Sequence, residues 1–513
     1  MSKLSACSNT GNKQQKNILL INPKRKYRFN WDLKEVAELM GKKTISHPLA
    51  LPLLAALTPS IYTVKIIDEE IEPVPRNIKA DLIGITALIS NINRAYELAD
   101  HFRKKSIPVI MGGPQVSFEA EKAGEHADYI IIGEAENSWP QFLDDWQNHK
   151  AKKTYSSGSY CDFKISPVPR WDLVKTGAIM TYNVQVSRGC PYSCDFCIVR
   201  NLSGPRQRYR DLDNVMKEIS SLPQTALINF ADDNLTANRR YADELLKRLK
   251  PLKLSWSCQI SIESAYDAAF MKKMAEAGCN SVLIGFETLD PAVLKIINKK
   301  HNSVEKYEAA ISNIHNAGIF VIASFVVGFD NDTNQVFEKI LKFTFKNSIS
   351  FIMLNALYAY PGSELYFRLK KENRILDINL DTANGIAGNI KYKNISAKQV
   401  YLNILKTLEQ IYSYKNILKT IPALFSNKNF FRSSEQYIPP FIKLRTVWYF
   451  LKHFIFTLNR EKRAVLFKLF MLVKNKTVQD SVAVQYLMFI ESFNGYLKHC
   501  SRTGNKILPF LEY

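Results

Sequence analysis

Three closely spaced cysteines are the residues of this chain with the clearest chemical potential. Cys190, Cys194 and Cys197 lie in the run CPYSCDFC, which follows the strand-like run Tyr182 to Ser187. Three thiolates on one short loop can each bind one iron of a [4Fe-4S] cluster, whereas a closed cluster usually has four protein ligands. The pattern therefore predicts a cluster with one iron left open for another ligand.

Two alternative roles fit these cysteines less well. A structural zinc site usually takes a fourth ligand from a second Cys or His pair at short spacing, and no Cys or His follows before Cys258. A disulfide framework is typical of short secreted chains, whereas this chain has eight cysteines in 513 residues. The cysteine content therefore favours a reducing compartment.

Length and charge set broad limits. A chain of 513 residues is too long for one compact core, and several domains are expected. The formal net charge of +21 predicts an anionic partner, which could be RNA, an acidic membrane surface or phosphate-bearing cofactors. Residues 1–14 are polar and predict a disordered leader rather than a signal peptide. With no apolar run of about eighteen residues free of charge, a cytoplasmic location is predicted.

Residues 15–150 alternate short apolar runs with helical stretches, which predicts a doubly wound parallel sheet. Ligands of such sheets bind beyond the carboxyl ends of the strands. Several predicted strands end in small or flexible residues, and glycine there lets a ligand approach the backbone, although it also serves tight turns. These candidate residues are Thr86, Gly112, Gly113, Gly133 and Glu134. A connector, residues 151–178, follows.

Residues 179–375 repeat the strand and helix alternation six times, which predicts a partial parallel barrel. Polar or flexible residues again come at strand ends: Asp232 and Asp233 after the second strand, Glu287 at the end of the fourth, and Gly328 after the fifth. A helix N-cap is the alternative role for either aspartate, and a turn is the alternative for Gly328. Cys258 on the third strand is interpreted as a buried thiol.

The cysteine motif, with an aromatic residue directly before its last cysteine, resembles the signature of the radical S-adenosylmethionine (SAM) enzymes. The resemblance implies that the open iron binds the amino and carboxylate groups of SAM, whose cleavage yields a 5'-deoxyadenosyl radical. It also implies that Asp232 and Asp233 lie near the SAM amino group, that Glu287 binds the ribose and that Gly328 approaches the adenine. An electron donor such as flavodoxin or ferredoxin is implied as a partner.

The first domain resembles the cobalamin-binding domain that precedes this core in one subfamily. The similar stretches are LIGIT from residue 82, IPVIMGGP from residue 107 and IIGEAE from residue 131. The resemblance implies cobalamin contacts at the strand-end residues named above. The Asp-x-His-x-x-Gly motif that supplies a histidine to cobalt is missing, so cobalamin without a histidine ligand is expected. A degenerate sheet that serves only packing or substrate shape is the alternative.

The tail, residues 376–513, is predicted to be helical and is strongly basic. From residue 395 onward it has 18 Lys and Arg residues against 6 Asp and Glu residues, with interleaved aromatics. This pattern is compatible with a peripheral membrane contact. A helical domain packed on the barrel predicts much the same composition. Single-stranded RNA binding would also use basic and aromatic residues, but no RNA module is recognisable, and nucleic acid is not expected.

The order of sheet domain, core and basic tail resembles the hopanoid C-2 methylase-like branch of the cobalamin radical SAM enzymes. The resemblance implies methylation of an unactivated carbon in a small molecule, with a lipid as one candidate. The substrate radical would take its methyl group from methylcobalamin. Oxidative cyclisation or rearrangement without net methylation is the main alternative. A tRNA methylthiotransferase would need a second three-cysteine cluster in the first domain, and only Cys7 precedes residue 150. A non-enzymatic redox sensor would not need the acidic and glycine residues at the strand ends.

Overall fold

The computed structural model describes residues 15–29, 32–425, 448–449, 451–475 and 477–511. The predicted leader and residues 426–447 of the basic tail lie outside the described residues.

The N-terminal region forms one six-stranded parallel sheet in the order β2-β1-β3-β4-β5-β6. Ile18 and Leu20 of the first strand pack into the main core, whereas Leu19 and Ile21 pack into a second core on the opposite face. Burial on both faces explains the continuous apolar run. The strands are β1 Lys16–Asn22, β2 Tyr62–Asp68, β3 Leu82–Thr86, β4 Val109–Gly112, β5 Tyr129–Ile132 and β6 Thr154–Ser156. The helices are α1 Lys34–Leu39, α2 Ala50–Leu57, α3 Ile92–Arg103, α4 Pro114–Phe118, α5 Ala120–His126 and α6 Ala135–Gln147.

The central region forms a second six-stranded parallel sheet in the order β14-β13-β12-β11-β10-β7. The order follows the chain step by step, as in a barrel, and among the described residues the two outer strands do not pair with each other. A short antiparallel ribbon, β8 with β9, stands beside the sheet. The strands are β7 Thr181–Val184, β8 Ser187–Arg188, β9 Arg208–Tyr209, β10 Leu227–Phe230, β11 Ser255–Ile260, β12 Cys279–Glu287, β13 Phe320–Val327 and β14 Phe351–Ala356.

Nine helices are described around this sheet, and five of them begin at a side-chain cap. Asp211 accepts hydrogen bonds from the backbone N–H groups of Asp213 and Asn214, and Asn238 accepts one from Tyr241. Asp267 caps the helix that begins at Ala268 in the same way, by accepting a hydrogen bond from the Phe270 N–H group. The helices are α7 Val199–Ser203, α8 Leu212–Ser221, α9 Arg239–Leu249, α10 Ile262–Ala265, α11 Ala268–Glu276, α12 Pro291–Ile296, α13 Tyr307–Ala317, α14 Gln335–Lys346 and α15 Glu364–Lys371.

The C-terminal region is helical and packs on both other parts. The Tyr412 hydroxyl donates to the Ile352 carbonyl of β14 and accepts from its N–H group, and the Ser492 hydroxyl accepts from the Val36 N–H group of α1. No described helix is both long enough and apolar enough to cross a bilayer. The helices are α16 Ala397–Ile411, α17 Tyr414–Leu424, a π-helical turn Leu451–Ile455, α18 Arg460–Lys474 and α19 Asp480–Ile507.

The predicted fold class is confirmed: a doubly wound sheet, a partial barrel and a mostly helical C-terminal region follow one another. The strand β6 was not predicted, because it has three residues, of which only Tyr155 is buried, and is too short to show a periodic apolar pattern.

Candidate functional site

The three cysteines lie on a loop that leaves the ribbon strand β8 at the barrel mouth. Gly189 opens the loop with a φ of +91°, and a Cβ there would lie 2.5 Å from the Arg206 carbonyl oxygen. Only glycine fits this close approach. The Cys190 N–H group donates to the Gly204 carbonyl and the Cys197 N–H group to the Cys194 carbonyl. The backbone thus fixes where the sulfurs lie.

The sulfur positions suit a cluster better than a single metal ion. Among the described residues, only Glu134, Glu136 and Cys161 have ligand atoms that all lie within 4.8 Å of one another. The three cysteine sulfurs are therefore farther apart than the ligands of one tetrahedral zinc ion. Burial raises the pKa of Cys194 to about 11 and that of Cys197 to about 12. Both are thiols until iron displaces their protons.

Asp232 and Asp233 lie beside this loop in different roles. Asp232 is buried and accepts hydrogen bonds from the Val186 N–H group and from the N–H and hydroxyl groups of Ser187. It therefore holds the backbone that leads into the cysteine loop. Asp233 is only partly buried and influences Cys190 and Cys197 electrostatically. Burial raises its pKa to about 6. Neither caps a helix, since Asn238 caps α9, and Asp233 is the aspartate with a carboxylate available to a ligand.

Glu287 ends β12 with a φ of +63°, a left-handed conformation that a non-glycine residue rarely adopts. The strand pairing shifts register between Gly285 and Glu287, which re-aims the side chain. Its carboxylate lies 2.5 Å from the Lys299 ammonium. Strain concentrated at a strand end in this way is typical of ligand sites.

Gly328 follows β13 with a φ of +104°, and the Asp332 carboxylate accepts hydrogen bonds from the N–H groups of Gly328 and Phe329. A Cβ at Gly328 would lie 2.5 Å from the Tyr392 ring. The turn conformation and the contact with the Tyr392 ring are sufficient to explain why residue 328 is glycine. An adenine would have to share the space above Gly328 with Tyr392.

The candidate cobalamin residues come together at the carboxyl edge of the first sheet, since Thr86 ends β3, Gly112 ends β4 and Gly133 follows β5. Gly113 has a φ of +105°, and a Cβ there would lie 2.7 Å from the Ala87 carbonyl oxygen. The geometry of the turn therefore explains why residue 113 is glycine. Gly133 has a φ of +77° and no atom within 4 Å of an added Cβ. Open space above Gly133 suits a large ligand resting on the backbone.

The edge and the cysteine loop meet in a buried charge network. The Glu134 carboxylate lies 2.6 Å from Arg208 and 3.5 Å from Arg188, and the Glu136 carboxylate lies 2.6 Å from Arg188. The Cys161 N–H group also donates to Glu134. Two guanidinium groups balance the two carboxylates, so the cluster of Glu134, Glu136 and Cys161 is an ion-pair network and not a metal site. Because this network occupies the Glu134 carboxylate, the backbone of Glu134 is the part that remains for contact with a ligand.

The barrel strands offer an uncharged inner face. Glu287 is the only charged residue in the six strands of this sheet. Asn183, Asn229 and Ser257 lie in register on three neighbouring strands, and their side chains form consecutive hydrogen bonds of 3.0 and 3.1 Å. Cys258 points away from this ladder and is buried, as predicted. A substrate in the barrel would meet hydroxyl and carboxamide groups.

The sequence reasoning missed Lys299, Arg188, Arg208, Glu136 and Tyr392. Their positions beside the site depend on loops and ribbons whose path the local pattern does not reveal. A signal was available only for Arg188, which comes two residues before the first cysteine of the motif.

Comparison with known proteins gives two family matches. Residues 184–344 match the model of the radical SAM superfamily, and residues 43–143 match that of the B12 binding domain. The chain is 30% identical to bacteriochlorophyllide d C-8(2)-methyltransferase of Chlorobaculum tepidum, over 73% of this chain and 87% of that protein. It is 26% identical to hopanoid C-2 methylase of Rhodopseudomonas palustris, over 64% of this chain and 65% of that protein.

Solved structures share the fold. The cobalamin-dependent SAM radical enzyme OxsB matches with a TM-score of 0.60 and 14% identity, over 96% of this chain and 81% of that chain. The radical SAM methyltransferase TsrM of Kitasatospora setae matches with a TM-score of 0.57 and 16% identity, over 70% of this chain and 76% of that chain. The family matches confirm the expected cofactors, a [4Fe-4S] cluster and SAM for the barrel and cobalamin for the first sheet.

Proposed function

Because the chain belongs to the radical SAM superfamily, in the branch that carries a B12-binding domain, we propose that it methylates an unactivated carbon of a small molecule. The observation that carries the proposal is the charge network of Glu134, Glu136, Arg188 and Arg208, which joins the edge of the first sheet to the entrance of the cysteine loop. Two cofactors bound at these places would face one shared space, and aligned partners raise the effective molarity of a transfer.

The chain's residues supply binding and orientation. When bound, the cluster and SAM supply a radical that removes hydrogen from the substrate, and cobalamin supplies the methyl group. Cys190, Cys194 and Cys197 would hold three irons. The Asp233 carboxylate would accept hydrogen bonds from the SAM ammonium, and the Glu287 carboxylate from the ribose hydroxyls. The three cysteines, Asp233 and Glu287 come at or near the carboxyl ends of the barrel strands, where the active sites of barrel enzymes lie.

The substrate we propose is an uncharged small molecule with a few polar groups, and a lipid is one candidate. Support comes from the strands of the barrel sheet, which carry no charged residue except Glu287. A buried unpaired anion would be costly against such a surface. Hydroxyl or carbonyl groups of a substrate could instead bind Asn183, Asn229 or Ser257.

A second candidate function is oxidative cyclisation without net methylation. The observation that favours it is a 26% identity to anaerobic magnesium-protoporphyrin IX monomethyl ester cyclase of Cereibacter sphaeroides, over 37% of this chain and 32% of that protein. The shorter overlap ranks it below methylation.

We also propose that the protein works in the cytoplasm against an anionic membrane surface. Phe467 and Phe470 on α18 are 65% and 60% exposed, and Leu458 just before that helix is 98% exposed. Arg460, Arg463, Phe467, Phe470 and Lys474 follow one another at spacings of three or four residues, which places them on one helix face. Apolar side chains between basic ends are typical of helices that lie in a bilayer interface. A small anionic one-electron carrier such as flavodoxin or ferredoxin would suit the net charge of +21.

The proposed function is tested by anaerobic incubation of the reconstituted protein with SAM and reductant, followed by product analysis. Formation of both 5'-deoxyadenosine and S-adenosylhomocysteine supports a methylase. Formation of 5'-deoxyadenosine without S-adenosylhomocysteine supports the cyclase alternative. Absence of both products supports a redox sensor. The Cys194→Ala variant should form neither product, whereas Cys258→Ala, which changes a buried thiol outside the motif, should behave like the wild type.

A further inference from the structure

The five residues from Ile297 to His301, here called the brace, follow α12 and pack against the cysteine loop. The Ile297 carbonyl accepts a hydrogen bond of 3.2 Å from the Asp195 N–H group. The Asn298 amide donates to the carbonyl and hydroxyl oxygens of Ser193 at 2.9 and 2.6 Å. The brace thus holds the segment of the loop between Cys190 and Cys197.

A ring contact extends the same packing. The His301 ring stacks on Tyr192 with 3.7 Å between ring centroids, and the Tyr192 hydroxyl donates to the Glu263 carboxylate. The brace therefore contacts three residues of the loop, Tyr192, Ser193 and Asp195, which lie on both sides of Cys194.

Lys299 lies at the centre of the brace with its ammonium group turned inward. Its Nζ lies 2.5 Å from Oε1 of Glu287, and only 12% of the side chain is exposed. The ammonium also lies 6.0 Å from the centre of the Phe196 ring, next to Cys197. Lys299 is also within electrostatic range of the sulfurs of Cys194 and Cys197, which become negatively charged only as cluster ligands. The lysine therefore lies near both the strand-end carboxylate and two sulfurs of the motif.

The backbone makes room for this pair. A Cβ at Gly285 would lie 2.1 Å from the Glu287 carboxylate and 2.9 Å from the Lys299 ammonium. Gly285 does not have a left-handed conformation, so its glycine is explained by space and not by backbone strain. The ion pair of Lys299 with Glu287 thus occupies a space that any other residue at position 285 would fill.

We infer that Lys299 is a positioning residue that fixes Glu287 for SAM and offsets the negative charge of the cluster. The inference rests on the cluster and SAM sites of the proposed function. A cluster held by three thiolates gains one more negative charge when it accepts an electron, and a fixed nearby cation favours the reduced form. Lys299 would therefore raise the reduction potential of the cluster and lower the freedom of the Glu287 side chain.

The test uses the reconstituted full chain and two readouts besides turnover: the reduction potential of the cluster, from a titration followed by electron paramagnetic resonance, and the dissociation constant of SAM. Lys299→Met should shift the potential to a more negative value and weaken SAM binding about tenfold, as expected for a lost charge-assisted hydrogen bond. Lys299→Arg, which keeps the charge, should restore most of the potential. Lys300→Met removes the exposed neighbouring lysine and should change neither value.

Wild-type potential and SAM affinity in Lys299→Met would overturn the inference. If that variant does not hold a cluster, Glu287→Gln replaces it, because this change leaves Lys299 uncompensated. Glu287→Gln should weaken SAM binding and move the potential to a more positive value, and an unchanged potential there also overturns the inference. Failure of the proposed function can be told apart from failure of this inference. A wild-type protein that holds no cluster or does not cleave SAM would contradict the proposed function, whatever the variants do.

Discussion

The guanidinium of Arg188, two residues before Cys190, lies 2.6 Å from the carboxylate of Glu136 at the start of α6. Only 12% of the Arg188 side chain and 6% of the Glu136 side chain are exposed. Arg188 leads into the cysteine loop, and α6 follows the open edge at Gly133. The pair therefore fixes the start of the cysteine loop relative to the open edge at Gly133.

Removing one partner of this pair should destabilise the protein. Glu136→Ala leaves a buried guanidinium whose nearest remaining carboxylate is that of Glu134, at 3.5 Å. We expect a loss of about 3 kcal/mol in the free energy of unfolding, measured with urea. Asp172→Ala is the matched control, because its pair with Arg170 is exposed and should contribute less than about 1 kcal/mol. Equal losses in the two variants would contradict a structural role for the Arg188 pair.

The strands and most helices of this chain could be predicted because their patterns are local. The run from Ile18 to Ile21 is apolar at every position, and the sheet buries it on both faces. The strand ends could also be predicted, and with them the positions of Glu287, Gly133 and the aspartates, because ligands of such sheets bind at the carboxyl edge. The roles of these residues toward SAM and cobalamin stay predictions.

The rest of the site could not be predicted because it depends on contacts between distant segments. Nothing near Glu136 in the sequence indicates that Arg188 will reach it across a domain interface. Tyr392 lies over Gly328 only because the chain returns to the barrel mouth after α15. The tail shows a related limit, since Phe454 is buried whereas Leu458, four residues later, is 98% exposed, and both are apolar.

Asp232 should make stability depend on pH. Burial raises its pKa to about 7, although hydrogen bonds from Ser187 and Val186 act in the opposite direction. An unfolded aspartate titrates near pH 4, so between about pH 4 and 7 the folded chain binds the extra proton. Stability therefore falls as pH rises through this interval, by about 4 kcal/mol from this group.

The variant Asp232→Asn isolates that contribution, because its amide does not titrate. We expect the free energy of unfolding of the wild type, minus that of the variant, to decrease by about 4 kcal/mol between about pH 4 and 7. Urea unfolding at a series of pH values measures the difference. Two parallel curves would show that the hydrogen bonds keep this carboxylate charged in the folded state.

Gly133 should matter for cobalamin more than for folding. Gly133→Ala adds a methyl group to open space at a φ of +77°, and the left-handed backbone alone should cost about 1 to 2 kcal/mol. The methyl group projects where the corrin ring is expected, so the purified variant should retain less cobalamin, measured by absorbance after gel filtration. Gly318→Ala is the matched control, since Gly318 has a φ of +82° at the end of α13. Equal cobalamin retention in both variants would argue against a cobalamin contact at Gly133.

The exposed face of α18 should bind anionic vesicles in two separable ways. Arg460, Arg463 and Lys474 should contribute about 1 kcal/mol each at low salt, and screening should weaken this part as salt is added. Phe467 and Phe470 should leave a fraction of binding that salt does not remove, because burial of apolar surface does not depend on screening.

Replacement of both phenylalanines by serine should abolish the salt-resistant fraction and leave the fold intact, since their rings are 65% and 60% exposed. Flotation with vesicles of phosphatidylglycerol and phosphatidylcholine measures binding, and circular dichroism checks the fold. Phe367→Ser is the matched control, because Phe367 is 57% exposed on α15 outside this face and should leave binding unchanged. If the wild type does not bind phosphatidylglycerol vesicles at low salt, the membrane proposal is wrong. Unfolding of the double variant would instead mean that the two rings are covered by another part of the chain.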